Sequence, residues 1–164
     1  MSSVTKMRRK PRGVPAWLNA RLHRIERERR AAAIARPMRE MFAMLATGEV
    51  FEADGQAVML MPEISNGEMK ERAQWRSIAP AMNGWADCWQ RLAPDIPVQY
   101  IRYLAQRLAD DKPLTPRLVE QARDQFEETI HRLVDLPDSE IRDGLLTTRI
   151  AWELERKEAR GERG

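Results

Sequence analysis

The sequence SIAPAMNGWADCWQRLA, residues 77–93, is the stretch from which the fold of this 164-residue chain can be predicted. Its large apolar side chains recur every three or four residues, the spacing that gathers them on one face of an α-helix. They are Ile78, Met82, Trp85, Trp89 and Leu92. Ser77 is suited to cap this helix, and Pro80 is tolerated in a first turn. We therefore predict a helix over residues 78–93, with Trp85 and Trp89 at the centre of the core.

The residues after this stretch predict further helices around it. Asp95 is a suitable N-cap for a helix over residues 96–109, which carries an apolar stripe of helical spacing. Pro137 and Asp138 open a last helix, whose end is charged on all sides. We expect that end to fray, with residues 161–164 as a loose tail.

The clearest helix start in the chain is Leu114-Thr115-Pro116, which supplies an apolar staple residue, an N-cap and a first-turn proline. The helix that it opens should run to about residue 134. The two helices in 96–134 are joined by a short turn, which invites a DNA-binding helix-turn-helix interpretation. The second helix carries more acids than bases, so it is poorly suited to a phosphate-lined groove, and we do not favour that interpretation.

On the other side of the tryptophan helix, two short apolar runs flank Asp54-Gly55 within residues 49–61. This dipeptide between strand-like runs is a strong hairpin signal, because both of its residues accept a positive φ. A two-stranded hairpin is marginal alone in water, so one of its faces should lie on helices. The predicted pairing places Val50 opposite Met59 and Phe51 opposite Val58.

We predict that the segment 15–47 forms a basic helix followed by an apolar helix. A first piece should cover residues 15–35, and a second piece residues 38–47, because Pro37 either kinks the helix or starts a new one. Gly48 is suited to end the second piece. The apolar positions of the first piece are Leu18, Leu22, Ile25 and Ala32. Since they form one narrow face, most of the surface of this piece is cationic.

These patterns together predict a mostly α protein, an irregular bundle of five or six helices with one small β-hairpin over residues 49–61. A flexible, disordered basic arm should cover residues 1–14. The helical segment 15–47 and the body 48–160 should then form one domain. Residues 62–76 are predicted as a polar loop with at most one short helix.

Charge is distributed unevenly along the chain. The first forty residues hold twelve Lys and Arg against three acids, a net charge of +9. The rest of the chain holds sixteen bases against twenty-two acids, a net charge of −6. Such a split indicates an arm that meets an anion and a body that stays acidic. Because Arg is abundant in the whole chain, the clustering of these residues carries more weight than their number.

The basic arm and the first helix are the leading candidate for a binding site. Arginine forks the oxygens of phosphates, and an aromatic ring among arginines can stack on unpaired bases. We predict an electrostatic contact with nucleic acid, DNA or RNA, of unspecified sequence. The predicted binding residues are Lys6, Arg8, Arg9, Lys10, Arg12, Trp17, Arg21, Arg24, Arg27 and Arg30. An acidic protein partner, or a solvated tail with no partner, remains open at this point.

A competing hypothesis is a protein–protein adaptor or inhibitor that acts through the hairpin edge or the acidic helical face. Its candidate contact residues on the hairpin are Val50, Phe51 and Met59, provided that they are exposed. Self-association through the same edge is a further possibility. Both hypotheses describe a small accessory protein of bacterial or mobile-element type.

Other groups of residues give weaker evidence for a catalytic or metal site. Cys88 beside two tryptophans suggests a core seam with a buried thiol more than a reactive site. Glu128 and His131 have the Glu-x-x-His spacing of di-metal bundles, but such sites need a second copy of this motif, which is not found. We find no phosphate loop, nucleophile elbow or paired cysteine motif. The sequence therefore predicts a non-enzymatic protein without cofactor or metal.

The compartment follows from composition. The single cysteine, Cys88, excludes an intramolecular disulfide and fits a reducing environment. No apolar run approaches the ~20 residues that a membrane span needs, and no signal-peptide core follows the basic N-terminus. We expect a cytoplasmic protein with no membrane partner.

Overall fold

The computed structural model describes residues 13–62, 64–66, 69–71 and 74–161 of the protein. Within these ranges the chain forms five α-helices and two short antiparallel hairpins. In chain order the elements are α1 (Ala16–Leu45), β1 (Val50–Ala53), β2 (Gln56–Met59), β3 (Ile64–Asn66), β4 (Met69–Glu71), α2 (Gln74–Leu92), α3 (Gln99–Ala109), α4 (Pro116–Asp135) and α5 (Asp138–Ala159). The predicted mostly α fold with a small β-hairpin is confirmed. None of the described helices is both long enough and apolar enough to cross a lipid bilayer.

The core lies where α1, α2 and α4 meet, and the predicted tryptophan seam contributes to its centre. Trp89 is buried and Trp85 is half-buried, with 6.4 Å between their ring centroids. Phe126 of α4 joins this seam to α1, because its ring centroid lies 5.1 Å from Trp85 and 5.5 Å from Phe42. The indole N–H of Trp85 donates to Thr129 Oγ1 at 2.8 Å, which satisfies the ring's polar atom.

Helix packing builds the bundle around α4 and α2. The second half of α1 runs antiparallel to α4, and α4 also packs on α3. α2 packs on α3 and on α5. A bidentate ion pair fixes α1 against α4: Arg39 Nε and Nη2 donate to the two carboxylate oxygens of Glu127 at 3.0 and 2.8 Å. This hydrogen bonding lowers the pKa of Glu127 and raises that of Arg39.

The two helical pieces predicted on either side of Pro37 form a single helix, α1. A proline inside a helix removes the hydrogen bond to the carbonyl four residues earlier. That carbonyl belongs to Ala33, and both residues are on the exposed side of the helix. Water can therefore hydrogen-bond the carbonyl in place of the missing donor. The alternative of a new helix starting at Pro37 is wrong for this reason.

The β1–β2 hairpin confirms the predicted turn and register. Asp54 and Gly55 have φ values of 52° and 74°, the left-handed conformation that two-residue hairpin turns require. The outer edge of β2 is bridged at its end, since Met59 N–H donates to the Leu114 carbonyl at 2.6 Å and the Met59 carbonyl accepts from Leu114 N–H at 3.1 Å. β1 has no such bridge among the described residues, so it is the freer edge of this hairpin. The paired residues are Val50 with Met59, Phe51 with Val58, Glu52 with Ala57 and Ala53 with Gln56.

A second hairpin, β3 with β4, lies in the stretch that was predicted as a polar loop. The strands are three residues each, so they offer almost no periodicity from which to predict them. A usable signal in the sequence is Gly67, because Asn66 pairs with Met69 and glycine is favoured as the first of the two residues that connect such strands. Its polar flanks made a loop the more natural prediction.

Two helix starts differ from prediction because a tertiary contact replaces the local cap. α2 begins at Gln74, so Ser77 lies inside it and does not cap it. Trp75 explains the extra turn: its side chain is fully buried, and its indole N–H donates to the Pro62 carbonyl at 2.5 Å. Burying so large a side chain stabilises the added turn more than a serine cap would.

α3 begins at Gln99, three residues later than predicted. The N–H groups of Tyr100 and Ile101 donate to Gln125 Oε1 of α4 at 2.9 and 3.4 Å, so a side chain from another helix supplies the cap. Asp95, the predicted cap, instead accepts from Arg132 at 2.5 Å. α4 starts as predicted, with Thr115 Oγ1 accepting from Leu118 N–H at 3.1 Å.

Candidate nucleic-acid interface

The first helix consists of two halves with opposite surroundings. Residues 31–45 hold the five buried side chains of α1, which pack on the body. Residues 16–29 are exposed, apart from the half-buried Leu18. The first half passes the corner between α4 and α5, where it borders shallow depressions that include Asp135 and Asp138. Nearly four turns of helix are thus available to a partner.

Four of the predicted binding residues form one row along this exposed half, which we call the cationic row: Trp17, Arg21, Arg24 and Arg27. Their spacing of four, three and three residues keeps them on neighbouring turns of the helix. The Trp17 side chain is 68% exposed, and the three arginines are exposed as well. From Arg21 to Arg27 the row rises about 9 Å along the helix axis.

The arginines of the cationic row are weakly held. Arg24 Nε donates to Glu28 Oε1 at 3.2 Å, but the side chains are 76% and 54% exposed. Such a surface pair contributes little to stability, so a phosphate can compete for the guanidinium. Arg21 and Arg27 make no salt bridge to any residue that the structure describes. Their charges are therefore available to an anion from solvent.

Arg30 belongs to the body and not to the cationic row. Its side chain is 25% exposed and forms a salt bridge with Asp138. Its Nη2 donates to the carbonyl oxygens of Leu136 at 3.1 Å and Leu133 at 3.4 Å, at the end of α4. The Leu133 carbonyl also accepts from the Leu136 N–H at 3.3 Å, so the guanidinium adds a second donor at the C-terminal end of α4 and caps it from outside. We leave Arg30 out of the interface, although the sequence placed it there.

A second row runs beside the cationic row, offset by one residue. This apolar row consists of Leu18, Leu22 and Ile25, of which Leu22 is 46% exposed. Ala31, the first buried residue of α1, comes nine residues after Leu22, or about two and a half turns. The apolar row therefore faces away from the body. The expectation of one narrow apolar face is wrong, because α1 has two such faces on roughly opposite sides.

The remaining predicted contacts of the arm lie outside the described residues. They are Lys6, Arg8, Arg9, Lys10 and Arg12. They precede α1 in the sequence, so whatever binds them has the cationic row close at hand along the chain.

The hairpin residues proposed for the competing hypothesis are divided by the structure. Val50 and Phe51 are exposed on the free strand β1. Met59 is 4% exposed and bridges to Leu114, so it belongs to the core and cannot contact a partner. Of the hairpin, only β1 is left for that hypothesis, and the acidic helical face stays a prediction.

An apolar groove lies between α2 and α5, on the body. Its volume is about 290 Å³, and it includes the thiol of Cys88. We call it the α2–α5 groove; the residues that line it include Ala81, Gly84, Trp85, Leu92, Ile141 and Leu145. No sequence pattern predicts this groove, because its width depends on how far apart α2 and α5 pack.

The Cys88 thiol in this groove has no sign of activation. Burial raises its pKa, while a hydrogen bond with Thr148 and the charge of Arg91 oppose this shift. A thiol held protonated is a poor nucleophile. The Thr148 hydroxyl is also engaged, since it donates to the Gly144 carbonyl at 2.7 Å and accepts from Arg91 Nη1 at 2.9 Å.

Within the described residues, no three His, Cys, Asp or Glu side chains come together as a metal site. Comparison with models of protein families, with curated proteins and with solved structures finds no match to this chain.

Proposed function

We propose that this protein binds nucleic acid through the cationic row of α1, together with the basic residues at positions 6–12. One observation carries the proposal: three arginines and a tryptophan line a half-helix that is exposed and clear of the core. A reducing cytoplasm, for which the single cysteine is the support, is the compartment in which we place this activity.

The chemistry of the row suits a phosphate backbone. Each guanidinium offers a planar fork of donors to phosphate oxygens and displaces condensed counterions when it binds. The acidic body repels the same polyanion, which directs contact to the N-terminal side of the molecule. Nothing in this arrangement reads bases by hydrogen-bonding pattern, so we propose binding with little sequence preference.

The charge of the row can be tested by fluorescence anisotropy with labelled DNA and RNA across a range of salt concentrations. The triple variant Arg21→Glu, Arg24→Glu, Arg27→Glu should flatten the dependence of log K on log salt by about 2 to 3 units of slope, since each lost phosphate contact removes about 0.7 to 0.9. A matched control is Arg117→Glu, Arg123→Glu, Arg142→Glu, which makes the same change in net charge at exposed arginines elsewhere. Equal losses in the two variants, or no binding by the wild type at low salt, would refute the proposal.

Trp17 can distinguish single strands from duplex. An exposed indole stacks on unpaired bases, and removing such a ring costs about 1 to 3 kcal/mol per base. Trp17→Ala should therefore weaken binding to single-stranded DNA or RNA and leave duplex binding nearly unchanged. If both weaken equally, Trp17 has a structural and not a stacking role.

A second candidate function, binding of a protein at β1, is supported by the exposed Val50 and Phe51 on a free strand edge. Under this alternative, Val50→Asp with Phe51→Asp removes the activity, while reversal of the cationic row leaves it intact. Affinity capture with these two variants in parallel separates the candidates.

A further inference from the structure

Two apolar features of the molecule have no partner among the described residues: the apolar row of α1 and the α2–α5 groove. We propose that two copies of the chain associate by exchanging these features, so that the apolar row of each copy lies in the α2–α5 groove of the other. This goes beyond the proposed nucleic-acid binding, which uses the neighbouring cationic row.

The apolar row cannot reach the groove of its own chain. Its residues lie on the side of α1 that faces away from the body, whereas Ile34 of the same helix lines the groove from the body side. Another molecule must therefore cover Leu18, Leu22 and Ile25 if they are to leave water. Their i, i+4, i+7 spacing is the pattern by which a helix anchors in an apolar groove.

The α2–α5 groove is suited to receive aliphatic side chains. Trp85 and Leu92 provide an apolar lining, while Ala81 and Gly84 are small enough to let another backbone approach. Among its polar groups, the thiol of Cys88 and the hydroxyl of Thr148 bond with one another, and the guanidinium of Arg149 pairs with Glu153 at 3.3 Å. A polar ligand would thus find few free donors or acceptors inside.

Charge selects this exchange over a direct contact between two apolar rows. Residues 16–29 hold four arginines and two glutamates, a net charge of +2. Residues 138–153 of α5, which supply part of the groove lining, hold four acids and two arginines, a net charge of −2. The one charged residue of this segment in the lining itself, Arg149, is paired with Glu153. Placing row on row would set two cationic rows side by side, whereas row in groove pairs opposite charges. Two such contacts related by a two-fold axis close a dimer.

Sedimentation velocity of the full chain over a range of concentrations tests the association. The row variant Leu22→Glu with Ile25→Glu changes the apolar row, and the groove variant Ala81→Glu with Leu145→Glu changes the α2–α5 groove. Each should weaken the dimer at least about tenfold. All four positions are exposed in the single chain, so folding should survive, and circular dichroism checks that it does. The control Leu146→Glu with Ile150→Glu changes an equally exposed apolar pair on the outer face of α5 and should leave the dimer intact.

Mixing the two defective variants is the decisive step. The groove variant keeps an intact apolar row, and the row variant keeps an intact groove. Their heterodimer therefore regains one of the two contacts. Association should therefore reappear on mixing, at an affinity between that of the wild type and that of either variant alone. A row-on-row dimer predicts no such rescue, because the row variant lacks its half of the contact.

The single cysteine of the chain gives an independent readout. Cys88 lies in the groove, so the dimer should slow its alkylation by iodoacetamide. At the same concentration, the row variant should react at least about tenfold faster than the wild type. A monomeric wild type at high concentration, loss of the dimer in the α5 control, absence of rescue on mixing, or equal alkylation rates would each overturn the inference. The neutral row variant Leu22→Gln with Ile25→Gln removes the same apolar contact without changing the charge of residues 16–29, so its nucleic-acid affinity below the dimer concentration range tests the proposed function separately.

Discussion

The two halves of α1 belong to one continuous helix and yet obey different rules. Residues 31–45 are buried wherever they face the body, with small Ala31 and Ala35 allowing close approach and Phe42 filling the core. Residues 16–29 expose arginine and leucine alike. The character of a helix face therefore depends on what lies beside it: α4 ends at Asp135, so the first half of α1 borders the body only through shallow depressions at the corner between α4 and α5.

The largest expected contrast between the halves is in stability. Phe42→Ala deletes a fully buried ring in contact range of Phe126 and should lower the free energy of unfolding by about 3 to 5 kcal/mol. Leu22→Ala removes an exposed side chain and should change it by less than about 0.5 kcal/mol. Urea unfolding at low protein concentration, where a dimer would not contribute, measures both. A large loss in Leu22→Ala would mean that the first half packs on its own body.

The next contrast lies between arginines. Arg30→Gln loses hydrogen bonds to the Leu133 and Leu136 carbonyls and the ion pair with Asp138, which should destabilise the fold by about 1 to 3 kcal/mol. Arg24→Gln loses an exposed pair with Glu28 and should be nearly neutral. Thermal unfolding followed by circular dichroism compares the two variants. Equal midpoints would show that Arg30 is as free as the cationic row.

The two ends of α1 also differ in how tightly their glycines are packed. A Cβ on Gly48 would lie 2.4 Å from the Leu60 carbonyl oxygen, whereas one on Gly13 would meet nothing within 4 Å. Gly48→Ala should therefore cost about 1 to 3 kcal/mol, and Gly13→Ala almost nothing, by urea unfolding. Gly48 does not have the left-handed conformation of a helix-ending glycine. Its small size lets the chain after β2 pass close to the end of α1.

The smallest expected effect is the pH dependence of the ion pair that ties the packed half to α4. Arg39 lowers the pKa of Glu127, so the folded state holds this carboxylate ionised to a lower pH than the unfolded chain does. The stabilisation is complete above the unfolded pKa, near 4.5, and is lost as the pH falls through the lower folded pKa. Arg39→Gln should therefore lose stability at pH 7, by at most about 1 kcal/mol, and differ less from wild type near pH 3. Unfolding midpoints from pH 3 to 7 measure this, with Arg117→Gln as a control.

Local signals in the sequence predicted the elements that stabilise themselves. Asp54-Gly55 fixes its hairpin because both residues tolerate positive φ, and Thr115-Pro116 fixes the start of α4 because the cap and the ring act within one turn. The burial of Trp89 followed from the spacing of its helix. By contrast, the burial of Trp75 could not be predicted, since its partner is a carbonyl thirteen residues earlier.

The candidate site was predicted only in outline. Charge clustering identified the exposed half of α1, because like charges avoid a core whatever the fold. It could not separate Arg30 from Arg27, which are three residues apart on the same helix. That separation arises from the end of α4, where the carbonyls of Leu133 and Leu136 accept from the nearest guanidinium.

Local sequence is enough to specify the helical class, the hairpin turn, the start of α4 and the cationic character of the N-terminal segment, because each depends on residues within a turn or two. Tertiary packing sets where α1 leaves the body, which arginine serves as a cap, and the groove between α2 and α5. These depend on the lengths and separations of helices that are distant in the chain, and no local pattern encodes such distances.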